Sequence, residues 1–396
     1  MKLIDIMKYN LPGAILSICK TENCIRHYCA GYADVETHES LSAEHIFQSG
    51  EITRMFTAAL ILKRVEEGVL DLDSPLAVLS NHHRLDGGRL KLIVDLYPYL
   101  KPVTLRALLN NTSGLPSYDR TVTYQKAFSD KPHKVWQAED YLDLITGSNV
   151  RYRLGYVLPV RGVFSDSATN YIIAGLVLEA STGRKSSLQM QELFNSIGLR
   201  STYYCPYGVL EKDLLPKLAH GYLPVSHLYA SSFSHRKLVT YNNDCELKVY
   251  DVTDAYNFNG LAGTASLSNT NDLIYWMRML LEGRILNGSL KQLFNGVPVD
   301  IKTSSREDQD FYGLGIYKTK SRQSGDVIWS AGNNLGYGML VAHIIERNIT
   351  FALSVNISRK IINFHEPTLV VPIFQKLFKA IQGKQRPKKY YNSESI

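Results

Sequence analysis

The sequence predicts an α/β lobe that is built from both ends of the chain, with a mainly helical lobe inserted between them. Short β-type runs lie at residues 13 to 35 and again from 310 to 358, whereas the chain between them is mostly helical and rich in loops. A chain of 396 residues with 45% hydrophobic and 20% charged residues also exceeds one ordinary domain and has enough apolar material for a core. These observations favour two lobes and a sheet to which both chain ends contribute strands.

The predicted elements follow from periodicity. Two strands are expected in residues 13 to 35, and a helix from residue 51 to Gly68, in which Ile52, Met55, Phe56, Ala59 and Leu62 have helical spacing. Further helices are predicted in the segments TLRALLNN, NYIIAGLVLEASTG and NDLIYWMRMLLEG, and strands in DFYGLGIYKT, GDVIWSAG, GYGMLVAHIIE and NITFALSVNIS. A last helix is predicted in TLVVPIFQKLFKAIQ, at residues 368 to 382.

These elements give the following lobe boundaries. We expect residues 1–80 and 261–383 to form the discontinuous α/β lobe and residues 81–260 to form the mainly helical lobe, followed at 384–396 by a polar, basic tail. Within the helical lobe, residues 224–260 are rich in Tyr, Ser, His and Asn, which favours an ordinary surface loop and also suits an adaptable contact surface.

Charge and hydropathy exclude several classes of protein. The net charge is +7, but the only dense basic run is KQRPKK at 384 to 389, which is typical of a solvated tail, so no nucleic-acid partner is predicted. No segment approaches the roughly 18 apolar residues of a membrane span. Because Asp5, Lys8 and Asn10 interrupt the first apolar stretch, we expect no Sec signal peptide and a cytoplasmic location. Export by a route without a signal peptide, as an effector delivered to another cell, remains an alternative.

The cysteines do not predict a metal site. An odd number, five, fits a reducing compartment. Cys19, Cys24 and Cys29 are evenly spaced, but the alternation of a hairpin would place them on different faces and in the turn. No metal and no cofactor are therefore predicted.

Several stretches, in the same order along the chain, resemble the serine β-lactamase and penicillin-binding-protein superfamily, in particular its branch of class C β-lactamases, esterases and D-aminopeptidases. The stretches are LPGAILSI, GYADVETHESLSAEHIFQSG, TAALILKRVEEGVLDLDSPL, TLRALLNNTSGLPSY, NYIIAGLVLEASTG, LAGTASLSNTNDLIYWMRMLLEG and YGLGI, and the match runs from about residue 11 to about residue 380. The resemblance implies a β-lactamase/transpeptidase-like fold, with an antiparallel sheet flanked by helices, an inserted helical lobe, and the active site in the cleft between them. It also implies that residues 224–260 form an insertion on the side of this cleft.

The first family motif is S-x-x-K, in which Ser is the nucleophile and Lys helps to remove its proton. In FQSGEITRMFTAA the Ser position falls on Glu51 and the Lys position on Arg54. The segment SHRK at 234 to 237 has the spelling of the motif, but it lies away from the matching helix and is interpreted as a coincidence.

The other two motifs are also degenerate. The Y-x-N positions fall on Asp166 and Ala168, with Ser167 between them, and the K-T-G or H-x-G motif becomes Ser330, Ala331 and Gly332. Of these family residues, only the glycine is present. The resemblance implies that this glycine keeps the strand thin enough for a substrate to lie against it. The usual His of another family stretch is replaced by Asn111. The candidate ligand-binding residues of the cleft are Glu51, Arg54, Asn111, Asp166, Ser330 and Asn333.

Physical chemistry predicts that the acyl-enzyme route is closed. A guanidinium does not lose its proton at accessible pH, so Arg54 cannot act as a base, and an ionised Glu51 beside it is a weak nucleophile. We therefore expect a pseudoenzyme that serves as a binding or regulatory module, with an unknown small molecule or protein at the cleft and an unknown oligomeric state. The alternatives are an active family hydrolase of the esterase or amidase type, or a carboxylate-based hydrolase that uses Glu51 and Asp166.

Glu51 and Arg54 also permit a purely structural interpretation. A carboxylate in the first turn of a helix, three residues before an arginine, predicts a salt bridge between the two. The resemblance further implies that the backbone N–H of residue 51 belongs to an oxyanion hole, and Glu51 is long enough to fold its carboxylate back toward such donors.

Overall fold

The fold comes from a computed structural model, which describes residues 11–20, 24–82, 88–130, 134–206, 212–227, 233–242, 246–254, 260–299, 308–321 and 325–358. The helix predicted at 368 to 382 and the basic tail at 384 to 396 lie outside the described residues.

The strands are distributed over the N-terminal, middle and C-terminal parts of the chain. They are β1 (Gly13–Cys19), β2 (Ile25–Asp34), β3 (Glu39–Ser40), β4 (Phe47–Gln48), β5 (Tyr203–Tyr204), β6 (Tyr222–Pro224), β7 (Leu238–Asn242), β8 (Glu246–Asp251), β9 (Ser266–Ser268), β10 (Val297–Val299), β11 (Gln309–Tyr312), β12 (Tyr317–Lys320), β13 (Val327–Asn334), β14 (Tyr337–Ile344) and β15 (Ile349–Val355).

The α-helices lie mostly between the first and last groups of strands. They are α1 (Thr53–Glu66), α2 (Leu76–Leu79), α3 (Gly88–Leu96), α4 (Leu105–Leu109), α5 (Val122–Asp130), α6 (Ala138–Asp143), α7 (Ala168–Ala180), α8 (Ser186–Ser196), α9 (Thr270–Leu281) and α10 (Leu290–Phe294). Short 3₁₀ turns are described at Gly50–Ile52, Pro98–Leu100, Tyr118–Arg120, Lys212–Lys217, Leu261–Gly263 and Ile345–Arg347.

In the described part of the chain, the main sheet has nine strands in the order β10-β11-β12-β13-β14-β15-β1-β2-β3, and neighbouring strands are antiparallel. The two chain ends meet where β1 pairs with β15, with Ala14 opposite Val355. This arrangement confirms the predicted antiparallel sheet flanked by helices. The boundaries of the two lobes stay a prediction.

One predicted strand is divided in two. The run DFYGLGIYKT forms β11 and β12 because a turn lies at its centre, where Gly315 has a φ of +77°. A Cβ on Gly315 would lie 2.7 Å from the backbone oxygen of Arg54. The turn therefore needs glycine for its conformation and for its contact with α1.

The core lies between the sheet and the helices α1, α7, α8 and α9. The five apolar residues that predicted α1, from Ile52 to Leu62, are all fully buried. Phe56 makes edge-on contacts with Phe194 of α8 and Trp276 of α9, at centroid distances of 5.0 and 4.6 Å. Because all residues from Thr53 to Leu62 are buried, this part of α1 is enclosed on every side and does not present a single face to the core.

The segment predicted as an adaptable loop, 224–260, contains regular structure instead. Strands β7 and β8 pair with each other, and β8 pairs with β6, to form a small antiparallel sheet. Tyr222, Tyr241 and Val249 are buried in the same cluster as Leu16 and Leu353 of the main sheet. The alternation in LVTYN and ELKVYD is the period-2 signal that the composition-based interpretation overlooked.

The described ranges contain neither a candidate membrane-spanning helix nor a candidate metal site. Within them, no helix is both long and apolar enough to cross a bilayer. In the same ranges, no three His, Cys, Asp or Glu side chains lie together in a way that could hold a metal ion.

The last residue of α1, Glu66, ties this helix to the loop before α10. Its carboxylate accepts hydrogen bonds from the backbone N–H groups of Asn287, Gly288 and Ser289, at 3.2, 2.8 and 2.8 Å, and from the Ser289 hydroxyl at 2.7 Å. Partial burial acts to raise the pKa of Glu66, but these hydrogen bonds outweigh it and lower the pKa to about 2.

We expect Glu66→Gln to lower the free energy of unfolding at neutral pH by up to about 1 kcal/mol, because solvent screens this exposed carboxylate. A depressed folded-state pKa gives a contribution that is present above the ordinary Glu pKa of 4.5 and is lost as the pH falls toward about 2. Urea titrations should therefore show the variant and the unmodified protein converging in stability below pH 4.5. The neighbouring Glu67→Gln, which removes a carboxylate paired with Arg64, is the control. A Glu66→Gln deficit that is independent of pH would contradict this account.

Candidate functional site

The site begins where the turn before α1 touches strand β13. Gly50 has a φ of +55°, and a Cβ on it would lie 2.6 Å from the backbone nitrogen and oxygen of Asn333. A Cβ on Gly332 would lie 1.9 Å from the backbone oxygen of Ser49. The two main chains therefore need glycine at both positions to approach each other. Gly332 was expected to leave room for a substrate, but the main chain of residues 49 to 51 occupies the space that its missing side chain leaves.

Glu51 lies in this turn and reaches across to β13. Its Oε2 accepts a hydrogen bond from the backbone N–H of Asn333 at 2.7 Å, and its carboxylate also interacts with its own backbone N–H. Burial raises the pKa of Glu51, while the Arg54 charge and the two N–H groups oppose this shift. The carboxylate is thus held by main-chain donors.

Arg54, in the first turn of α1, pairs with Asp166. One guanidinium nitrogen of Arg54, Nη1, donates to Oδ1 of Asp166, and 4% of the Arg54 side chain and 21% of the Asp166 side chain are exposed. The Arg54 guanidinium also lies over the ring of Tyr171, 5.3 Å from its centroid. Burial acts to lower the pKa of Arg54, but the negative charge of Asp166 outweighs this effect. The pKa of Arg54 is therefore raised well above its usual value.

The predicted salt bridge between Glu51 and Arg54 is therefore wrong. Among the described ion pairs, Arg54 is joined to Asp166 and not to Glu51. The physical reason is local, since Glu51 belongs to the 3₁₀ turn Gly50–Ile52 and the α-helix begins only at Thr53. The spacing rule for side chains three residues apart applies within one α-helix.

Asn111 fixes the other side of Asp166. It adopts a left-handed conformation with a φ of +58°, which asparagine tolerates better than most residues. Its Nδ2 donates to Oδ1 of Asp166 at 3.1 Å, and its Oδ1 accepts from Nδ2 of Asn170 at 2.7 Å. Ser113 Oγ continues the chain of hydrogen bonds to Asn170 Oδ1 at 2.6 Å. Asp166 thus has two fixed donors, one charged and one neutral.

Four tyrosines that the sequence analysis did not place lie around this charged group. Tyr118, Tyr171, Tyr312 and Tyr317 are buried, and each interacts electrostatically with Arg54. Burial raises the pKa of all four phenols, so they are neutral near pH 7. A signal was present, because Tyr118, Tyr171 and Tyr312 fall in or beside the stretches GLPSY, NYIIAG and YGLGI that carry the family resemblance.

The remaining predicted positions are less closely joined to the charged group. Ser330 is buried on β13 and faces the same side of the sheet as Gly332. The backbone N–H of Ala168 donates to Ser117 Oγ at 2.9 Å at the beginning of α7. In the SHRK segment, Lys237 forms an ion pair with Glu36.

The site therefore brings together Glu51, Arg54, Asn111, Asp166 and the Asn333 backbone. It offers a permanent cation, two carboxylates, neutral phenols and main-chain N–H donors. Because Arg54 keeps its proton, it can bind an anion but cannot remove a proton from a nucleophile.

The contribution of the Arg54–Asp166 ion pair to the free energy of unfolding can be measured. We expect Asp166→Asn to lower the free energy of unfolding by about 3 to 5 kcal/mol, because it leaves a buried guanidinium without its anion. Arg54→Met combined with Asp166→Asn should recover part of this loss, since the stranded charge is gone. Urea denaturation of the single and double variants measures the coupling.

An exposed ion pair of the same chemistry serves as the control. Arg106 pairs with Asp73 at 2.7 Å, but 66% of the Asp73 side chain is exposed. The cycle with Arg106→Met and Asp73→Asn should give a coupling below about 1 kcal/mol. Equal couplings in the two cycles would mean that burial does not set the strength of the Arg54 pair.

Comparisons with known proteins agree with this fold. The chain is 24% identical over 354 residues to "Penicillin-binding protein 4*" of Bacillus subtilis (strain 168), and the match covers 88% of this chain and 68% of that protein. The structure of D-amino acid amidase from Ochrobactrum anthropi SV3 complexed with D-phenylalanine is similar, with a TM-score of 0.74 and 21% identity over 96% of this chain and 97% of that one. A penicillin-binding protein from Bacillus halodurans has a TM-score of 0.67, with 18% identity over 96% and 99% of the two chains.

A family model gives the wider assignment. The model described as "Beta-lactamase" matches residues 2–361, which is most of the chain and includes every described element of the site. On this match, and with the antiparallel sheet and flanking helices described above, the chain belongs to the Beta-lactamase family.

Proposed function

We propose that this chain is a catalytically degenerate member of the family, a pseudoenzyme that has kept the scaffold as a binding or regulatory module. The observation that carries the proposal is the buried ion pair of Arg54 with Asp166. These two residues stand at the positions where the resemblance implies a Lys that helps to remove a proton and a Tyr that transfers one.

The ion pair supports the proposal because it removes both proton-transfer roles at once. Asp166 raises the pKa of the already strongly basic Arg54, so no proton leaves that side chain. Asp166 itself is held by Arg54 and Asn111 and points at a fixed cation. A nucleophile at position 51 would have no partner to accept its proton, and an acyl-enzyme would have no general base for its formation.

The first test is a direct assay. We expect the purified chain to form no covalent adduct with a fluorescent penicillin and to turn over neither a chromogenic β-lactam, a p-nitrophenyl ester nor D-phenylalanine amide above the buffer rate. Adduct formation is measured by gel fluorescence and intact mass, with an active family β-lactamase as the positive control. A stable adduct on any serine, located by peptide mass spectrometry, would overturn the proposal.

The second test restores the first motif. Glu51→Ser with Arg54→Lys rebuilds a nucleophile and a base, but Asp166, Ala168 and Ser330 still occupy the other motif positions. We expect esterase activity at least about 10⁴-fold below that of an active family enzyme, because catalytic residues that act as a unit cannot be replaced one at a time. The control is Glu51→Ser alone, which should be inactive. Robust β-lactam turnover by the double variant would mean that the rest of the cleft is intact.

A carboxylate-based hydrolase is the second candidate, and one observation favours it. Burial raises the pKa of Glu51, which is the direction that suits a general acid, and Asp166 lies close enough to contribute to this shift. This candidate requires turnover of an ester or glycoside that is lost in Glu51→Gln. The pseudoenzyme proposal requires that no such activity exists.

A further inference from the structure

The site is built to attract negative charge. Helix α1 begins at Thr53, two residues after Glu51, and helix α7 begins at Ala168, two residues after Asp166. These helices have 14 and 13 residues, so each presents the positive end of a substantial macrodipole to the site. Between them lies the guanidinium of Arg54, which is permanently charged.

Both carboxylates near this positive charge belong to the chain itself, but different groups bind them. Asp166 is fixed by the Arg54 guanidinium and the Asn111 amide. Glu51 is partly exposed and is held by main-chain donors, with the Asn333 N–H at 2.7 Å as the contact to another element. Rotation of the Glu51 side chain would break hydrogen bonds to main-chain N–H groups only, whereas movement of Asp166 would leave Arg54 without its anion.

Unused hydrogen-bonding groups remain at the same place. The Nε atom of Arg54 is buried and, in the described part of the chain, has no hydrogen-bond partner. It lies in the site because it belongs to the guanidinium that binds Asp166. The hydroxyls of Ser49 and Ser167, which come two residues before Glu51 and one residue after Asp166 in the sequence, are likewise buried without a partner in the described ranges. Buried donors of this kind ordinarily have an acceptor, such as a ligand oxygen or a water.

We propose that the Glu51 carboxylate is a built-in occupant of an anion site, and that this site binds a small monocarboxylate when Glu51 swings out. The inference rests on the proposed function, because the site is treated as a binding site and not as a reaction centre. The ligand class follows from the occupant: a planar, singly charged group already accepts from the Asn333 N–H. A ligand carboxylate would accept from the same donor, and the positive helix ends would favour its charge.

The test removes the occupant and adds a probe. We expect acetate to raise the melting temperature of Glu51→Ala in a saturable manner, at constant ionic strength set with chloride. In the unmodified protein the apparent affinity for acetate should be roughly tenfold lower or worse, because the tethered Glu51 carboxylate competes at a high effective concentration. Isothermal titration calorimetry with acetate on both proteins measures the two affinities. Glu51→Gln, whose neutral amide can still accept from Asn333 but does not repel an anion, should bind acetate with intermediate affinity.

The matched control is Glu67→Ala, which removes a carboxylate from the other end of α1 that pairs with Arg64. It should respond to acetate like the unmodified protein. Equal acetate affinity in the unmodified protein and Glu51→Ala, or no saturable effect in either Glu51 variant, would overturn the inference. If Glu51→Ala fails to fold, the calorimetry of Glu51→Gln decides by the same criterion. The penicillin adduct assay on the same preparations reports separately on the proposed function, since an adduct would sink that proposal whatever acetate does.

Discussion

Arg54 carries a charge that cannot be removed at accessible pH, in a side chain that is only 4% exposed. Such a charge costs several kcal/mol unless a well-placed anion faces it. Asp166 is that anion, and it lies 112 residues further along the chain. The beginning of α1, the segment before α7 and the left-handed turn at Asn111 are therefore joined at one point, because Arg54 and Asn111 both donate hydrogen bonds to Asp166. The arrangement of the site depends on this one requirement.

The pair also determines what Glu51 can do. Glu51 lacks the helical spacing that would direct it to Arg54, because it lies in the 3₁₀ turn before α1. Because Asp166 already satisfies the guanidinium, the Glu51 carboxylate turns to the N–H of Asn333 across the contact between Gly50 and Gly332. The two acidic residues thus have different roles, although the charge of Arg54 acts on both. Asp166 compensates the buried charge of Arg54, and Glu51 accepts hydrogen bonds from main-chain N–H groups.

Much of the fold was predictable, because it depends on patterns that are local in sequence. The burial of Ile52, Met55 and Phe56 follows from helical spacing, and the motif positions Glu51, Arg54 and Asp166 do converge on one site. The ion pair was assigned wrongly because spacing rules see only neighbours in sequence. The partner of Arg54 is a long-range contact, and the 3₁₀ turn that separates Glu51 from α1 leaves no clear sequence signal. The strands β7 and β8 were missed for a different reason, since their alternation was outweighed by a composition typical of loops.

The contact between Gly50 and Gly332 affects how activity should be inferred from the sequences of related proteins. A side chain at residue 332 would collide with the main chain of residue 49, whether or not any reaction takes place nearby. Glycine is therefore required at this position by packing alone, and its presence in a sequence is no sign of activity. The residue at position 54 is more informative, because the family's acyl-enzyme route needs a side chain there that can release a proton, and a guanidinium cannot.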